Sequence, residues 1–258
     1  MDSIRIKKEL TGNMVRFIGE YRKQNRISTS WKEPLLGFAD ADGEYIHSLK
    51  KLISPTHYLP RDFLPGATVV LSYFLPFSEE IGRGNEEGVE PSEEWSAAYE
   101  ETNRMFPKLN RYLTAFLEKK GFHAVTPPSI GMIDDGHLFS NWSQRHIAYA
   151  AGLGTFGVNN MLITEKGICG RFYSLITDLP VSPDLPLKEE RCLYKRSGGC
   201  GLCTKRCPTH ALVPGGTFDQ YRCNEHLMEF ESRLGRDVCG KCVVGLPCTY
   251  RIPGARVQ

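Results

Sequence analysis

Apolar residues recur at Ile4, Leu10, Met14, Phe17, Ile18 and Tyr21, roughly a helical period, which predicts an amphipathic helix over Ile4 to Tyr21. Further on the pattern changes. Ala67 to Phe74, a β-branched and aromatic run after Pro65-Gly66, reads as a buried strand. Glu93 to Lys120 is rich in helix formers and ends at Gly121, a residue suited to close a helix. Asn141 to Ala151 reads as a helix with Asn141 as N-cap and Gln144 three residues later. Asn160 to Thr164 and Arg171 to Thr177 read as strands. The expectation is helices and strands alternating around one sheet, without an internal repeat. Gly82 to Ser92, polar and rich in Gly and Glu, reads as an exposed loop. Leu179 to Pro186 carries three prolines in eight residues, which disfavours helix and central strand alike. A domain break there gives a large domain over 1–185 and a small one over 186–258.

A chain of 258 residues with 41% hydrophobic residues can bury a core of that size. Its 32 basic and 30 acidic residues nearly balance, so charge alone implies no polyanionic partner. Met1 to Leu10 lacks the apolar stretch of a signal peptide, and no run reaches the ~18 apolar residues that span a bilayer, so the expected location is cytoplasmic, with no membrane partner. In a reducing compartment nine cysteines are read first as metal ligands or catalytic thiols rather than disulfides.

Eight of the nine fall between Cys192 and Cys248. The run Cys192-x7-Cys200-x2-Cys203-x3-Cys207-Pro208 precedes Cys223 and then Cys239-x2-Cys242-x5-Cys248. Iron–sulfur clusters need soft thiolates converging in fours, and CxxC places two on one tight turn. Eight ligands predict two [4Fe–4S] clusters. If the fourth cysteine of each run crosses to the other cluster, as in two-cluster ferredoxins, one set is Cys192, Cys200, Cys203 and Cys248 and the other Cys207, Cys223, Cys239 and Cys242. Two departures loosen that pairing: Ser197 stands where a closer cysteine is usual, and five residues separate Cys242 from Cys248. Zinc is the alternative reading of the CxxC pairs. Cys169, without a cysteine neighbour, reads as a small buried thiol.

Gly152-Leu153-Gly154-Thr155-Phe156-Gly157 matches GxGxxG, but it follows a predicted helix and precedes a predicted strand, the reverse of a dinucleotide fingerprint. It reads instead as a glycine loop closing a helix, where missing side chains let a ligand's ring approach the backbone, or as a simple C-cap and turn.

The segment Gln144 to Gly157, continued through Asn160 to Thr164 and Gly170 to Pro180, resembles the epoxyqueuosine reductase family, as do Pro65 to Val70 and the eight-cysteine region. The resemblance implies an α+β architecture: a nitroreductase-like, cobalamin-processing-type α/β sandwich joined to a two-cluster ferredoxin-like domain, as also in reductive dehalogenases. It implies a bound cobalamin against Gly152 to Gly157 with Asn159 and Asn160, reduced by electrons from the clusters. A low-potential donor such as a ferredoxin or flavodoxin is the implied partner.

The chain departs from that family where an Asp-x-x-Pro-x-x-Glu element should stand, for Leu138, Asn141 and Gln144 occupy the register. Asp134, Asp135 and His137 lie just upstream and are the candidates for the displaced acid, although such a sequence also makes an ordinary turn. Tyr99 and Tyr149 are weaker candidates, while Arg145 and His146 read as a polar helix face. Arg191, Lys195, Arg196, Lys205 and Arg206 form a loose basic group that a solvated surface explains equally. The leading expectation is thus a corrinoid-dependent or corrinoid-reducing iron–sulfur reductase acting on an unnamed small molecule. Behind it stand epoxyqueuosine reduction in tRNA, with tRNA ranked low as a partner, an FMN-dependent reductase, and a non-catalytic electron carrier or cobalamin chaperone.

Overall fold

Every residue of the run Val69–Pro76 is buried, which only a strand covered on both faces can satisfy. The computed structural model describes residues 2–128, 131–134, 137–215 and 217–254. Among them the elements run α1 (Ser3–Asn25), β1 (Leu35–Asp40), α2 (Glu44–Leu52), β2 (Val69–Pro76), α3 (Glu79–Gly84), α4 (Glu93–Glu118), β3 (Ala124–Val125), β4 (Gly131–Asp134), β5 (His137–Ser140), α5 (Gln144–Ala150), β6 (Gly154–Phe156), β7 (Leu162–Thr164), β8 (Gly170–Thr177), α6 (Leu193–Ser197), α7 (Leu202–Arg206) and α8 (Gln220–Leu234). The central sheet has the order β1-β2-β8-β3, antiparallel throughout.

Alternation along β2 sends Val69, Leu71, Tyr73 and Leu75 to one face, where they meet Leu10 and Met14 of α1 and Met105, Leu109 and Leu113 of α4. Val70 and Phe74 turn the other way, onto Ile46 and Leu49 of α2 and Ile147 and Ala148 of α5. The result is helix, sheet, helix, with apolar groups on both sides of an antiparallel sheet. A third core joins Phe77, Trp95, Ile163 and Ile168 to Cys192, Val238, Val243 and Val244, so the cysteine-bearing region shares apolar packing with the sheet.

The structure corrects three local expectations. Gly82 to Ser92 is not simply an exposed loop: α3 occupies its start, Gly82 and Asn85 are buried, and the buried Lys241 donates to the carbonyls of Asn85 at 3.0 Å and Glu87 at 2.7 Å. The helix from 141 starts later, with Ser143 rather than Asn141 at the cap, because the backbone before it is already committed. There the Tyr58 amide donates to the Asn141 carbonyl, and the Trp142 indole is buried with its N–H on Ser174 Oγ. The strand from 160 begins at Leu162, for Asn160 sits at φ +57° in a turn closed on Gly157. No helix among the described residues is long and apolar enough to cross a membrane.

Candidate functional site

The cysteines are carried on short elements wrapped around the third core. Cys192 caps α6, Cys203 lies in α7, Cys207 ends it, and Cys223 lies in the first turn of α8. Cys192, Cys200, Cys203 and Cys248 open together onto one apolar cavity, walled by Ile163, Leu193, Tyr194, Leu246 and Pro247. Gly157, Val158 and Asn159 of the glycine loop complete that wall. Burial pushes the thiol of Cys203 up to about 11 and that of Cys248 up to about 12, and in both the neighbouring thiols of the same cavity add to the rise. Cys223, raised to about 11 by burial, feels Cys239 and Cys207, and the deeply buried Cys242 feels Cys239, Cys223 and Cys207. The eight thiols thus divide into two neighbourhoods of four, bordering through Cys242 and Cys203. No group of three or more His, Cys, Asp or Glu among the described residues closes on a single metal ion. Four soft sulfurs spread around an apolar cavity suit an iron–sulfur cube, whose ligands sit on separate irons, better than one tetrahedral ion. Cys169, buried elsewhere in the third core, has its thiol pushed up to about 12 by burial and takes no part.

The glycine loop is divided in its duties. Gly152 and Leu153 line a cleft of about 260 Å3 with Lys7, Glu165, Asp184 and Arg191, on the side of the proline-rich connection. Phe156, Gly157 and Asn160 line a different, larger cavity of about 550 Å3 together with Val158, Tyr194, Lys195, Gly215 and Phe218, facing the cysteine region. The space that a side chain would need at the glycines is already filled by protein. A Cβ at Gly152 would lie 2.6 Å from the Leu185 carbonyl oxygen, at Gly154 2.4 Å from that of Ile163, and at Gly157 2.7 Å from Asn159 Oδ1. Close packing against backbone therefore accounts for Gly152 and Gly154, whereas at Gly157 the one close atom is the end of the Asn159 side chain. Thr155 looks inward, where its hydroxyl donates to Glu190 at 2.9 Å and accepts from the Arg191 amide.

Below the loop, α5 presents Gln144, Arg145 and His146. Both amide atoms of Gln144 are buried without a hydrogen-bond partner among the described residues. Arg145 donates to the carbonyl of Asn160 at 2.5 Å and approaches Met161 Sδ at 3.5 Å. Burial, the nearby Arg171 and a position beside Cys242 and Cys223 govern its proton affinity, the first two lowering it. His146 pairs its Nδ1 with Ser143 Oγ at 2.8 Å and lays its ring 4.7 Å from that of Phe156. Burial first, then Arg145 and His57, press its pKa down to about 4. Tyr149 and Tyr45 extend this aromatic cluster, 4.7 Å apart, and Tyr45 is raised to about 12 by burial.

Of the candidate acids, Asp134 and His137 are backbone register partners in the β4–β5 hairpin, just ahead of α5, and Asp135 lies outside the described residues. Tyr99 is occupied elsewhere, bonded to Asp237 at 3.3 Å and covered by the Arg171 guanidinium. The basic group is dispersed. Arg191 holds the carbonyls of Leu153 and Ile163, Arg206 holds those of Glu86 and Lys241, and Lys195 lines the large cavity. Tyr194 and Phe218 were not singled out from the sequence, where an aromatic beside a cysteine carries no signal of its own.

No protein-family model matches the chain. An epoxyqueuosine reductase from Bacillus cereus is 31% identical over 197 residues, covering 72% of this chain and 47% of that protein. The epoxyqueuosine reductase of Bacillus subtilis is 29% identical over 197 residues, 70% of this chain and 47% of that protein. The chain spans about half the length of the curated relatives it matches. Among solved structures, a selenomethionine-labelled epoxyqueuosine reductase superposes with a TM-score of 0.55 at 21% identity, over 96% of this chain and 66% of that one. A catabolic reductive dehalogenase bound to 3-bromo-4-hydroxybenzoic acid gives a TM-score of 0.58 at 17% identity, over 85% of this chain and 30% of that one. At these identities the structural likeness is one of mixed α/β fold.

Proposed function

Because this chain belongs to the epoxyqueuosine reductase-like superfamily, whose fold reductive dehalogenases share, we propose that it is an iron–sulfur oxidoreductase delivering low-potential electrons to a bound corrinoid. The observation that carries the reading is the single apolar cavity shared by Cys192, Cys200, Cys203 and Cys248 with Gly157, Val158 and Asn159 of the glycine loop. We read residues 1–185 as a nitroreductase-like domain and 186–258 as a ferredoxin-like domain for two [4Fe–4S] clusters, held by the two sets of four thiols. When bound, the clusters supply single electrons at low potential and the corrinoid supplies the reducible metal centre for the chemistry.

The chain's own residues provide the surroundings. Apolar burial around the thiols keeps water from the cluster sites, which with hydrogen bonding sets their potentials. Asn159 ties the loop to the cysteine region by donating to the Cys242 carbonyl at 2.7 Å. Phe156, Tyr194 and Phe218 wall the cavity of about 550 Å3, within the range of cofactor pockets, and Lys195 adds one cation. The unpaired Gln144 amide is a group that a ligand could satisfy, relieving a penalty of about 1–3 kcal/mol. Asp134, Asp135 and His137 are kept as proton-donor candidates on their position ahead of α5. The partners we propose are a ferredoxin or flavodoxin as donor and a corrinoid, in a cytoplasmic setting.

The deciding experiment is an anaerobic titration of the iron-reconstituted chain with cob(II)alamin, followed by EPR. A cobalt spectrum altered by the protein beside cluster signals is the expected result. An unaltered cobalt spectrum beside intact clusters overturns the corrinoid part and leaves FMN, detected by fluorescence after denaturation, or a pure electron carrier. A second reading, reduction of epoxyqueuosine in tRNA, is favoured by the names of the relatives, one of which was solved with an epoxyqueuosine-modified tRNA stem loop. Restoration of queuosine in a deficient host supports it, and failure with active protein overturns it.

A further inference from the structure

Arg145 occupies an unusual position for a guanidinium. Its Nη1 bonds only to neutral groups, the Asn160 carbonyl at 2.5 Å and Met161 Sδ at 3.5 Å, and among the described residues no carboxylate lies within ion-pair distance of it. The neighbouring charged groups are another cation, Arg171, and the thiols of Cys242 and Cys223. By contrast Arg171 has the Tyr99 ring and the Asn103 side chain as partners, with Asp237 near. The segment that Arg145 grips is itself anchored on the second thiol set, since Asn159 donates to the Cys242 carbonyl at 2.7 Å. Arg145 therefore joins the Asn160 turn, which lines the large cavity, to the neighbourhood of Cys242 and Cys223, and thiolates there supply an anionic counterpart to its charge.

Resting on the cluster reading above, we infer that Arg145 separates the reduction potentials of the two clusters, by holding a positive charge nearest Cys242 and Cys223 of the second set. One-electron reduction adds a negative charge to a cluster, with the electron supplied by an external low-potential donor. A fixed cation within a low-dielectric site stabilises the reduced form and raises that potential. The Cys207, Cys223, Cys239 and Cys242 cluster then becomes the one of higher potential, and the Cys192, Cys200, Cys203 and Cys248 cluster the one of lower potential. Arg145 is thus a tuning residue, touching neither substrate nor the reacting atoms.

The test is an EPR-monitored redox titration, under nitrogen with dithionite, of the iron-reconstituted full chain and its Arg145→Met and Arg145→Lys variants. In Arg145→Met one transition is expected to move to lower potential, so that its reduced fraction at fixed potential falls about tenfold, about 59 mV for one electron. The other transition stays in place and serves as internal control, and Arg145→Lys restores most of the shift. The moved transition is expected to be the one that survives in Cys248→Ser. Unchanged potentials in a fully loaded Arg145→Met chain, or equal movement of both, overturn the inference while leaving the clusters standing. A wild-type chain that takes up no iron overturns the cluster reading, and this inference with it.

Discussion

Gly240 lies against the indole of Trp95 so closely that a methyl group on its Cα would fall 2.3 Å from ring atoms Cε2 and Cζ2. Its backbone is at φ +76°, which a side chain would strain as well. Gly240 sits between Cys239 and Cys242, so this one contact fixes the height of a CxxC turn above α4. Gly240→Ala is expected to cost about 2–4 kcal/mol from overpacking and backbone strain, and to lower iron content after reconstitution. Thermal unfolding and iron assay check both, and a variant with wild-type Tm and iron would show that the turn does not depend on Trp95.

The two thiol neighbourhoods predict complementary losses. Cys248→Ser is expected to remove the cluster of the Cys192 set and leave roughly half the iron, that is about four of eight atoms, while Cys223→Ser removes the other. The two single variants should therefore show complementary EPR signals of the remaining reduced cluster. Identical residual signals would mean that the sets are assigned wrongly.

His146 makes stability pH-dependent in a defined window. Folded, it is held near pKa 4 by burial and by Arg145; unfolded, it titrates near ~6.5. The unfolded chain therefore gains the proton first. The contribution of neutral His146 is complete above about pH 6.5 and is lost as pH falls toward 4, by roughly 2–3 kcal/mol. Urea unfolding at pH 7, 5.5 and 4.5 should show His146→Gln losing less stability than wild type over that interval. Parallel losses in the two proteins would rule out this residue as the cause.

Gly152→Ala separates packing from cofactor contact. With φ +69° and the Leu185 carbonyl 2.6 Å from the added methyl, the change is expected to cost about 2–4 kcal/mol with or without added corrinoid. A normal Tm together with weakened cob(II)alamin binding would return Gly152 to a ligand-facing role.

Much of the scaffold was legible because it rests on repeating patterns. The period in α1 and the β-branched run of β2 each report a face that must be buried, and the clustered cysteines fall on short elements around one apolar core. What escaped was information carried by backbone and by charge. Nothing in Gly82 to Ser92 reveals that Lys241, distant in sequence, will anchor it through two carbonyl oxygens. Likewise GxGxxG is ambiguous, for a glycine demanded by the Leu185 carbonyl and one demanded by a ligand look alike until the fold is known. Arg145 and His146 read as a polar helix face because the helix is short and the pattern cannot tell solvent from a polar interior. The one clue was compositional: a Gln-Arg-His triplet with no acid nearby is an odd surface.

The backbone of Cys248 and Thr249 accepts hydrogen bonds from Ile168 and Cys169, just before β8 begins. This contact sets an order of events during synthesis. β8 precedes Cys192 in the chain, whereas the Cys192 set is complete only with Cys248, whose backbone docks just before β8. On the cluster reading, the last ligand of this set is thus tethered to the sheet, and a nascent chain stalled between Cys203 and Cys248 would present three of the four thiols without their closing partner.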